Sequence, residues 1–171
     1  MSDIANYSAV ETLRRGGRIE IRALRPDDRD ELLAAVDRTS TQSLYRRFFG
    51  VRKSFTEQEV AFFLNVDFVS HVALVAVQEE EHTICGGGRY VVAQPGKAEL
   101  AFVVVDQYQG QGIGAALLRH LITIACAAGI KEFIAEVLPE NAAILKVFQK
   151  SGLGLSTKRE AGVVHVTLTL V

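Results

Sequence analysis

The glycine-rich stretch Gln109–Gly114 has the residue types and the setting of an anion-binding turn. It follows the apolar run Leu100–Val105 and precedes a helical pattern that continues to Ala128. Glycines let the backbone approach a ligand closely, and the first N–H groups of a helix have no intrahelical acceptor. Because the helix dipole adds a partial positive charge, the stretch predicts a backbone cradle for a diphosphate-sized anion.

The glycine spacing, Gly110-x-Gly112-x-Gly114, narrows the kind of cradle. No lysine follows the last glycine, so the P-loop pattern of nucleotide hydrolases is absent. The spacing also differs from the G-x-G-x-x-G pattern of dinucleotide-binding folds. A purely structural turn is the alternative interpretation, although a turn alone does not require three glycines.

Glu99 is the residue that the sequence best places for acid–base chemistry. It lies in a strand predicted at 97–105, and its neighbours at 98, 100 and 101 are apolar. Partial desolvation is therefore expected to raise the pKa of its carboxyl group toward the range of a general base. The alternative is a structural ion pair with Arg89 on the neighbouring strand.

The elements that must position these residues follow from hydrophobic periodicity and turn residues. Strands are predicted at 18–24, 71–78, 83–93, 97–105, 131–137 and 163–170, and helices at 29–38, 57–64, 115–128 and 140–151. Short turns join the strands within 71–105 and predict antiparallel pairing, whereas the helix at 115–128 predicts a right-handed crossover between two parallel strands. The expected fold class is α/β, as a mixed and mostly antiparallel sheet with helices on both faces.

Composition favours a single domain, expected to span 18–171 after a partly ordered N-terminal arm at 1–17. The formal net charge of −1 gives no basic field for nucleic acid, and the apolar runs are too short for a membrane span. Cys85 and Cys126 lack metal-ligand spacing, so no metal is expected and a reduced cytoplasmic location is the default. The apolar segment 163–170 could pair with a second chain, which leaves both monomer and homodimer open.

Two motifs carry a resemblance to a known family. Gln109, Gly112 and Gly114 after a strand resemble motif A of the GNAT N-acetyltransferases, which bind the pyrophosphate of acetyl-CoA there. The run Asn141–Leu153 resembles that family's N-x-x-A-x-x-x-Y-x-x-x-G-F motif. The match covers about Ile19 to Leu153 and implies a GNAT fold, with a splayed parallel pair of strands and acetyl-CoA as cosubstrate.

Within this family, segments 43–49, 98–104 and 137–141 are similar to the bacterial Pat-type protein-lysine acetyltransferase domain. Pat-type domains place their catalytic glutamate in an A-E-x-A segment, so the resemblance implies that Glu99 is the general base. It also implies direct acetyl transfer to a primary amine in a ternary complex. The favoured acceptor is a protein lysine.

The resemblance further implies which residues hold acetyl-CoA. Backbone groups of Phe102, Val103 and Val104 would bind the pantetheine amides and polarise the thioester carbonyl. The pyrophosphate would lie on the turn and the first helical turn, formed by Gln109, Gly110, Gln111, Gly112, Ile113, Gly114 and Ala115. Asn141 would lie near the pantetheine arm, and an N-cap role alone is its alternative interpretation.

Phe148 departs from the family motif. Many GNAT enzymes have a tyrosine at this position that protonates the leaving thiolate, and phenylalanine cannot donate a proton. Phe148 is therefore expected to pack against CoA at most. Tyr45, Tyr90 and Tyr108 are possible donors that the sequence does not place; a water molecule or departure of the unprotonated thiolate are the other routes.

The sequence does not identify the acceptor substrate, and several alternatives stay open. Arg46 and Arg47 beside Tyr45 could meet an acidic protein surface, or they could be solvated surface charges. A small-amine acetyltransferase would require an acidic pocket, for which Asp67, Glu136 and Glu140 are the candidate carboxylates. A non-catalytic acyl-CoA sensor is a further alternative, which Phe148 supports and Glu99 opposes.

Overall fold

The computed structural model describes residues 4–13, 16–37, 57–64, 66–105, 108, 111–137 and 142–170. These residues form strands β1 (Ser8–Thr12), β2 (Arg18–Ala23), β3 (His71–Gln78), β4 (Thr83–Gln94), β5 (Lys97–Val104), β6 (Glu132–Val137), β7 (Gly154–Glu160) and β8 (Val163–Thr169). Their α-helices are α1 (Arg29–Asp37), α2 (Glu57–Leu64), α3 (Ile113–Ala127) and α4 (Ala142–Gln149). Even α3, the longest of these helices at 15 residues, is too short to cross a bilayer.

The strands form one sheet in the order β1-β2-β3-β4-β5-β6-β8-β7. Every neighbouring pair is antiparallel except β5 and β6, which are parallel. Helix α3 connects these two strands, as expected for a crossover. The predicted strands and helices are all present with ends shifted by one or two residues, and the predicted mixed sheet with a parallel pair is confirmed.

Helices cover both faces of the sheet. The larger buried cluster joins one face to α3 and includes Phe102 and Leu117. A smaller cluster on the opposite face includes Val75, against which Leu32 of α1 and Leu64 of α2 pack. Successive residues of a strand point to opposite faces, so the side chains at 98, 100 and 102 face α3 and Glu99 faces the other side.

Strand β1 lies in the segment that the sequence predicts as a partly ordered arm. Its residues pair with β2 along its whole length. The carboxylate of Glu11 lies 2.7 Å from Nε2 of His120 and accepts a hydrogen bond from Arg119 at 2.8 Å, which attaches the strand to α3. Its side chains alternate only between exposed and half-buried positions, so the sequence carries no strong apolar period here.

Strand β7 also has no counterpart in the sequence-based expectation. It is almost entirely polar and exposed, and it occupies the edge of the sheet beside β8. Because β8 is paired with β6 on one side and β7 on the other, the expectation that the segment 163–170 could pair with a second chain is wrong. The polar strand β7 thus occupies the hydrogen-bonding edge of the more apolar strand β8.

Candidate active site

The parallel pair β5–β6 opens toward the carboxyl ends of its strands. Its register runs from Lys97 opposite Glu132 to Glu99 opposite Ile134, and among the described residues the ladder ends there. Both strands continue, β5 to residue 104 and β6 to residue 137. Backbone groups on this edge of β5 therefore face a gap rather than β6, at the strand end where open α/β sheets bind ligands.

The N-terminus of α3 lies just beyond the end of β5. Its N-cap residue is Gly112, whose φ of 97° lies in the left-handed region that favours glycine. Gly112 has no side chain to cap the helix, so the N–H groups of Ile113, Gly114 and Ala115 are oriented for an external acceptor. Gln111 is half-buried beside them, whereas Gln109 and Gly110 lie outside the described residues.

Gly114 lies where the N-terminus of α3 packs against its neighbours. A Cβ atom at Gly114 would lie 3.5 Å from Cγ2 of Val147 on α4 and 3.9 Å from Cγ2 of Val104 on β5. The helix N-terminus is thereby held against both the strand and α4. These features fit the diphosphate cradle that the sequence predicts, and the contacts with a ligand stay a prediction.

Replacing Gly112 by alanine is expected to weaken acetyl-CoA binding about tenfold, because relief of a left-handed strain of about 1–2 kcal/mol would displace the N–H groups of the cradle. The measurement is the acetyl-CoA dissociation constant by titration calorimetry. Gly129→Ala is the matched control, since Gly129 has a φ of 87° at the opposite end of α3 and open space around its Cα. Equal losses of affinity in both variants would contradict a role for Gly112 in the cradle.

Glu99 lies at the last paired position before the gap, on the face opposite α3. Its Oε2 atom is buried, and its side chain lines a cavity of about 350 Å³. The far wall of the cavity comes from β6 and β8, with Glu136, His165 and Thr167 as its polar residues. A carboxylate at the edge of a cavity is placed to accept a proton from a bound amine. Its catalytic role stays a prediction.

Arg89, the alternative partner of Glu99, lies on the same face of the neighbouring strand. The register pairs Arg89 with Ala101 and Val91 with Glu99, so the two charged side chains lie one diagonal step apart. Arg89 is buried, and its Nη1 atom donates to Nε2 of His71 at 2.8 Å. Burial and the Arg89 charge lower the pKa of His71 to about 4, so the imidazole is a neutral acceptor at neutral pH.

The neutral His71 predicts a loss of stability in acid. Its pKa of about 4 in the folded chain lies below the ordinary value of 6.5, so the unfolded chain binds the proton more readily. The contribution to the free energy of unfolding is complete above pH 6.5 and is lost as the pH falls from 6.5 toward 4. His71→Gln keeps an acceptor for Arg89 and is expected to remove about 2 kcal/mol of this acid-dependent loss.

The measurement for His71 is urea unfolding at neutral and mildly acidic pH. His82→Gln is the control, because His82 is exposed in the turn between β3 and β4. An equally steep loss of stability in acid for the wild type and His71→Gln would contradict the assignment.

Phe102 and Phe148 are core residues on the α3 side of the sheet. Each is 1% exposed, and their ring centroids lie 6.1 Å apart, so they join β5 to α4. Val103 and Val104 continue β5 along the gap, and the side chain of Val104 is buried. The backbone contacts of this strand with pantetheine and the contact of Phe148 with CoA stay predictions.

The tyrosines differ in how well they could supply a proton. The hydroxyl of Tyr90 is buried on the α3 side, away from Glu99, and burial raises its pKa to about 12. Tyr108 is half-buried just past β5, where it packs against both hydrophobic clusters. Tyr45 lies outside the described residues. Of Tyr90 and Tyr108, Tyr108 is therefore the less buried donor. It also follows β5 in the sequence, near the strand end where β5 and β6 separate.

Asp67, one of the candidate acceptor carboxylates, has a local structural role. It accepts hydrogen bonds from the backbone N–H groups of Val69, Ser70 and His71, each at 2.9 Å, and from the Ser70 hydroxyl at 2.7 Å. These bonds hold its pKa well below the usual range. Asp67 therefore caps the entry to β3, while the other predicted residues Arg46, Arg47, Glu140 and Asn141 lie outside the described residues.

His165 is the site residue to which the sequence assigns no role. It lines the cavity together with Glu136, and its Nδ1 atom lies 3.8 Å from Oε1 of Glu136. The alternating pattern of β8 could have predicted the face on which His165 lies. Val164 and Val166 are buried in the core, so His165 must point to the opposite face. Within the described ranges, His, Cys, Asp and Glu nowhere form a group of three that could hold a metal ion.

Comparison with known proteins agrees with this fold. The family model described as an acetyltransferase (GNAT) domain matches residues 18–154. The GNAT domain of S. lividans PAT has a similar solved structure, with a TM-score of 0.84 and 34% identity over 95% of this chain and 96% of that one.

Two curated acetyltransferases are also similar to the chain. Acetyltransferase Pat of Mycolicibacterium smegmatis is 32% identical over 154 residues, which are 89% of this chain and 46% of that protein. Acetyltransferase PA5475 of Pseudomonas aeruginosa is 32% identical over 126 residues, which are 72% of this chain and 68% of that protein. The chain thus spans about half the length of the Mycolicibacterium relative. With a matching domain model over most of its length and relatives at this level of identity, the protein belongs to the GNAT family of acetyltransferases, whose members take the acetyl group from acetyl-CoA.

Proposed function

We propose that the protein transfers an acetyl group from acetyl-CoA to a lysine side chain of another protein, directly within a ternary complex, with Glu99 as general base. The observation that carries the proposal is the junction of three features at one strand: Glu99, the gap beyond it, and the helix N-terminus at the end of the strand. The likeness to the Pat acetyltransferases supports a protein lysine as acceptor.

The donor would lie along the gap between β5 and β6. The first-turn N–H groups of α3 would bind its pyrophosphate, with Gln109–Ala115 around it, and Asn141 would approach the pantetheine arm. Backbone groups at 102–104 would hydrogen-bond the pantetheine amides and polarise the thioester carbonyl. In this arrangement the acetyl group would lie near the cavity that Glu99 lines.

Before the chemical step, the acceptor amine must lose a proton. A lysine amine has an ordinary pKa of about 10.4 and is an ammonium ion at neutral pH. Glu99 would take the proton, directly or through a water molecule, and the free amine would attack the thioester carbonyl. The tetrahedral intermediate then collapses: the C–S bond breaks with departure of the CoA thiolate, and the nitrogen releases its remaining extra proton to water to give the neutral amide. Phe148 cannot protonate that thiolate, so the proton would come from water or from Tyr108.

A non-catalytic acyl-CoA sensor is the second candidate, and Phe148 in place of the family's tyrosine is the observation that favours it. Thiol release from acetyl-CoA distinguishes the two functions. The assay uses lysine peptides, acidic-surface proteins and polyamines as acceptors. The proposal predicts release stimulated most by lysine-containing proteins or peptides. Stimulation by polyamines alone would support a small-amine enzyme, and CoA binding without release for any acceptor would support the sensor.

A further inference from the structure

The cavity beside Glu99 has a second polar wall that the proposed reaction does not use. Glu136 on β6 and His165 on β8 lie directly opposite each other in the antiparallel register. Nδ1 of His165 lies 3.8 Å from Oε1 of Glu136, so the imidazole is the neighbour of this carboxylate across the two strands. Both side chains line the cavity.

The position of this pair follows from the sheet geometry. Ile134 is the last residue of β6 that pairs with β5, and Glu136 is the next residue of β6 on the same face. Two residues along a strand cover about 7 Å, so Glu136 lies one step farther toward the open end of the gap than Glu99's partner. Glu99 and Glu136 therefore line the same cavity from one face of the sheet.

The ionisable residues that line the cavity indicate the charge of the ligand that it would bind. Among the described residues that line the cavity, the ionisable side chains are Glu99, Glu136 and His165, with no lysine or arginine. The side chains of Glu136 and His165 are 24% and 42% exposed, so a ligand can reach them. Partial burial also reduces solvent screening of a charge that binds there. The wall is therefore complementary to a cation.

We infer that Glu136, oriented by His165, binds the ammonium group of the acceptor before proton transfer and thereby determines the preference for cationic acceptors. The inference rests on the proposed function, because it assigns the acceptor side of the same site. His165 is a positioning residue that acts through Glu136. Glu99 then receives the proton from an ammonium ion that Glu136 already holds in the cavity.

The experiment measures binding separately from turnover. A short peptide with one lysine and the same peptide with acetyl-lysine, which is neutral, are titrated against the full chain with CoA present. The wild type is expected to prefer the lysine peptide, and Glu136→Gln is expected to weaken its binding about five- to tenfold and to remove the preference. His165→Gln is expected to give a smaller loss in the same direction.

Glu132→Gln is the matched control, since Glu132 lies on the same face of β6 but pairs with Lys97 at 3.5 Å, outside the cavity. Turnover adds a second readout: Glu136→Gln should raise the KM of the acceptor while kcat and the KM of acetyl-CoA stay within about twofold. An unchanged peptide affinity in Glu136→Gln, a loss equal to that of Glu132→Gln, or a wild type that does not distinguish the two peptides would overturn the inference. Lysine-selective binding without acetyl transfer would instead overturn the proposed function alone.

Discussion

Replacing Glu99 by glutamine is expected to lower kcat for acetyl transfer by about 10²–10⁴-fold, the usual contribution of a general base. Glutamine has nearly the same shape and keeps a hydrogen-bonding group, but it cannot accept the proton of the acceptor ammonium. Acetyl-CoA affinity is expected to stay unchanged, because in the proposed complex backbone groups of β5 and α3, and not Glu99, would hold the donor. Steady-state kinetics and titration calorimetry measure the two quantities separately.

The pH dependence of this variant gives an independent check. As the pH rises toward the pKa of the acceptor amine, more of the acceptor is already deprotonated, and the deficit of Glu99→Gln relative to the wild type should shrink. A rate equal to that of the wild type at neutral pH would remove Glu99 as the base. Loss of activity together with loss of acetyl-CoA binding would indicate a structural role, in line with the diagonal neighbour Arg89.

Replacing Gly88 by alanine is expected to lower the free energy of unfolding by about 2 kcal/mol. Gly88 on β4 lies directly opposite Phe102 on β5. A Cβ at Gly88 would lie 2.8 Å from Cδ1 and 2.9 Å from Cε1 of the Phe102 ring, and 3.0 Å from Cδ1 of Leu121. The ring is 1% exposed and packs against Phe148, so it has little space to move. Thermal unfolding should show a fall in Tm of about 4–8 °C.

Gly87→Ala is the matched control for this effect. Gly87 is the adjacent residue of the same strand, and its Cβ would point to the opposite face, 3.4 Å from the carbonyl oxygen of Leu74. This variant should unfold close to the wild-type temperature. If both variants lose stability equally, the cost belongs to glycine replacement in β4 in general and not to the contact with Phe102.

The parallel pair around α3 could be predicted from the sequence because its signals are local. The apolar run of β5, the glycines around Gly112 and the apolar pattern of α3 each lie within a few residues of one another. Gly129 ends the helix with a positive φ of 87°, the expected conformation at a helix C-terminus. Local patterns of this kind predict element type and order well.

Edge strands and pairing partners were harder to predict, for a physical reason. β1 and β7 gain their stability from hydrogen bonds to one neighbour and bury few apolar side chains, so hydrophobic periodicity does not reveal them. The contact of His71 with Arg89, and that of His165 with Glu136, depend on strand register across separate hairpins and a crossover. A single sequence carries no direct measure of that register.

The proposed reaction is direct transfer of the acetyl group from acetyl-CoA to a lysine bound beside Glu99. Mass spectrometry of a stoichiometric mixture of the protein, acetyl-CoA and a lysine peptide tests it most directly. Direct transfer predicts acetylated peptide in the same amount as free CoA, with the protein itself unmodified, and almost no product with Glu99→Gln in the same time. Free acetate in place of acetylated peptide, or an acetylated protein that forms before the peptide product, would contradict it.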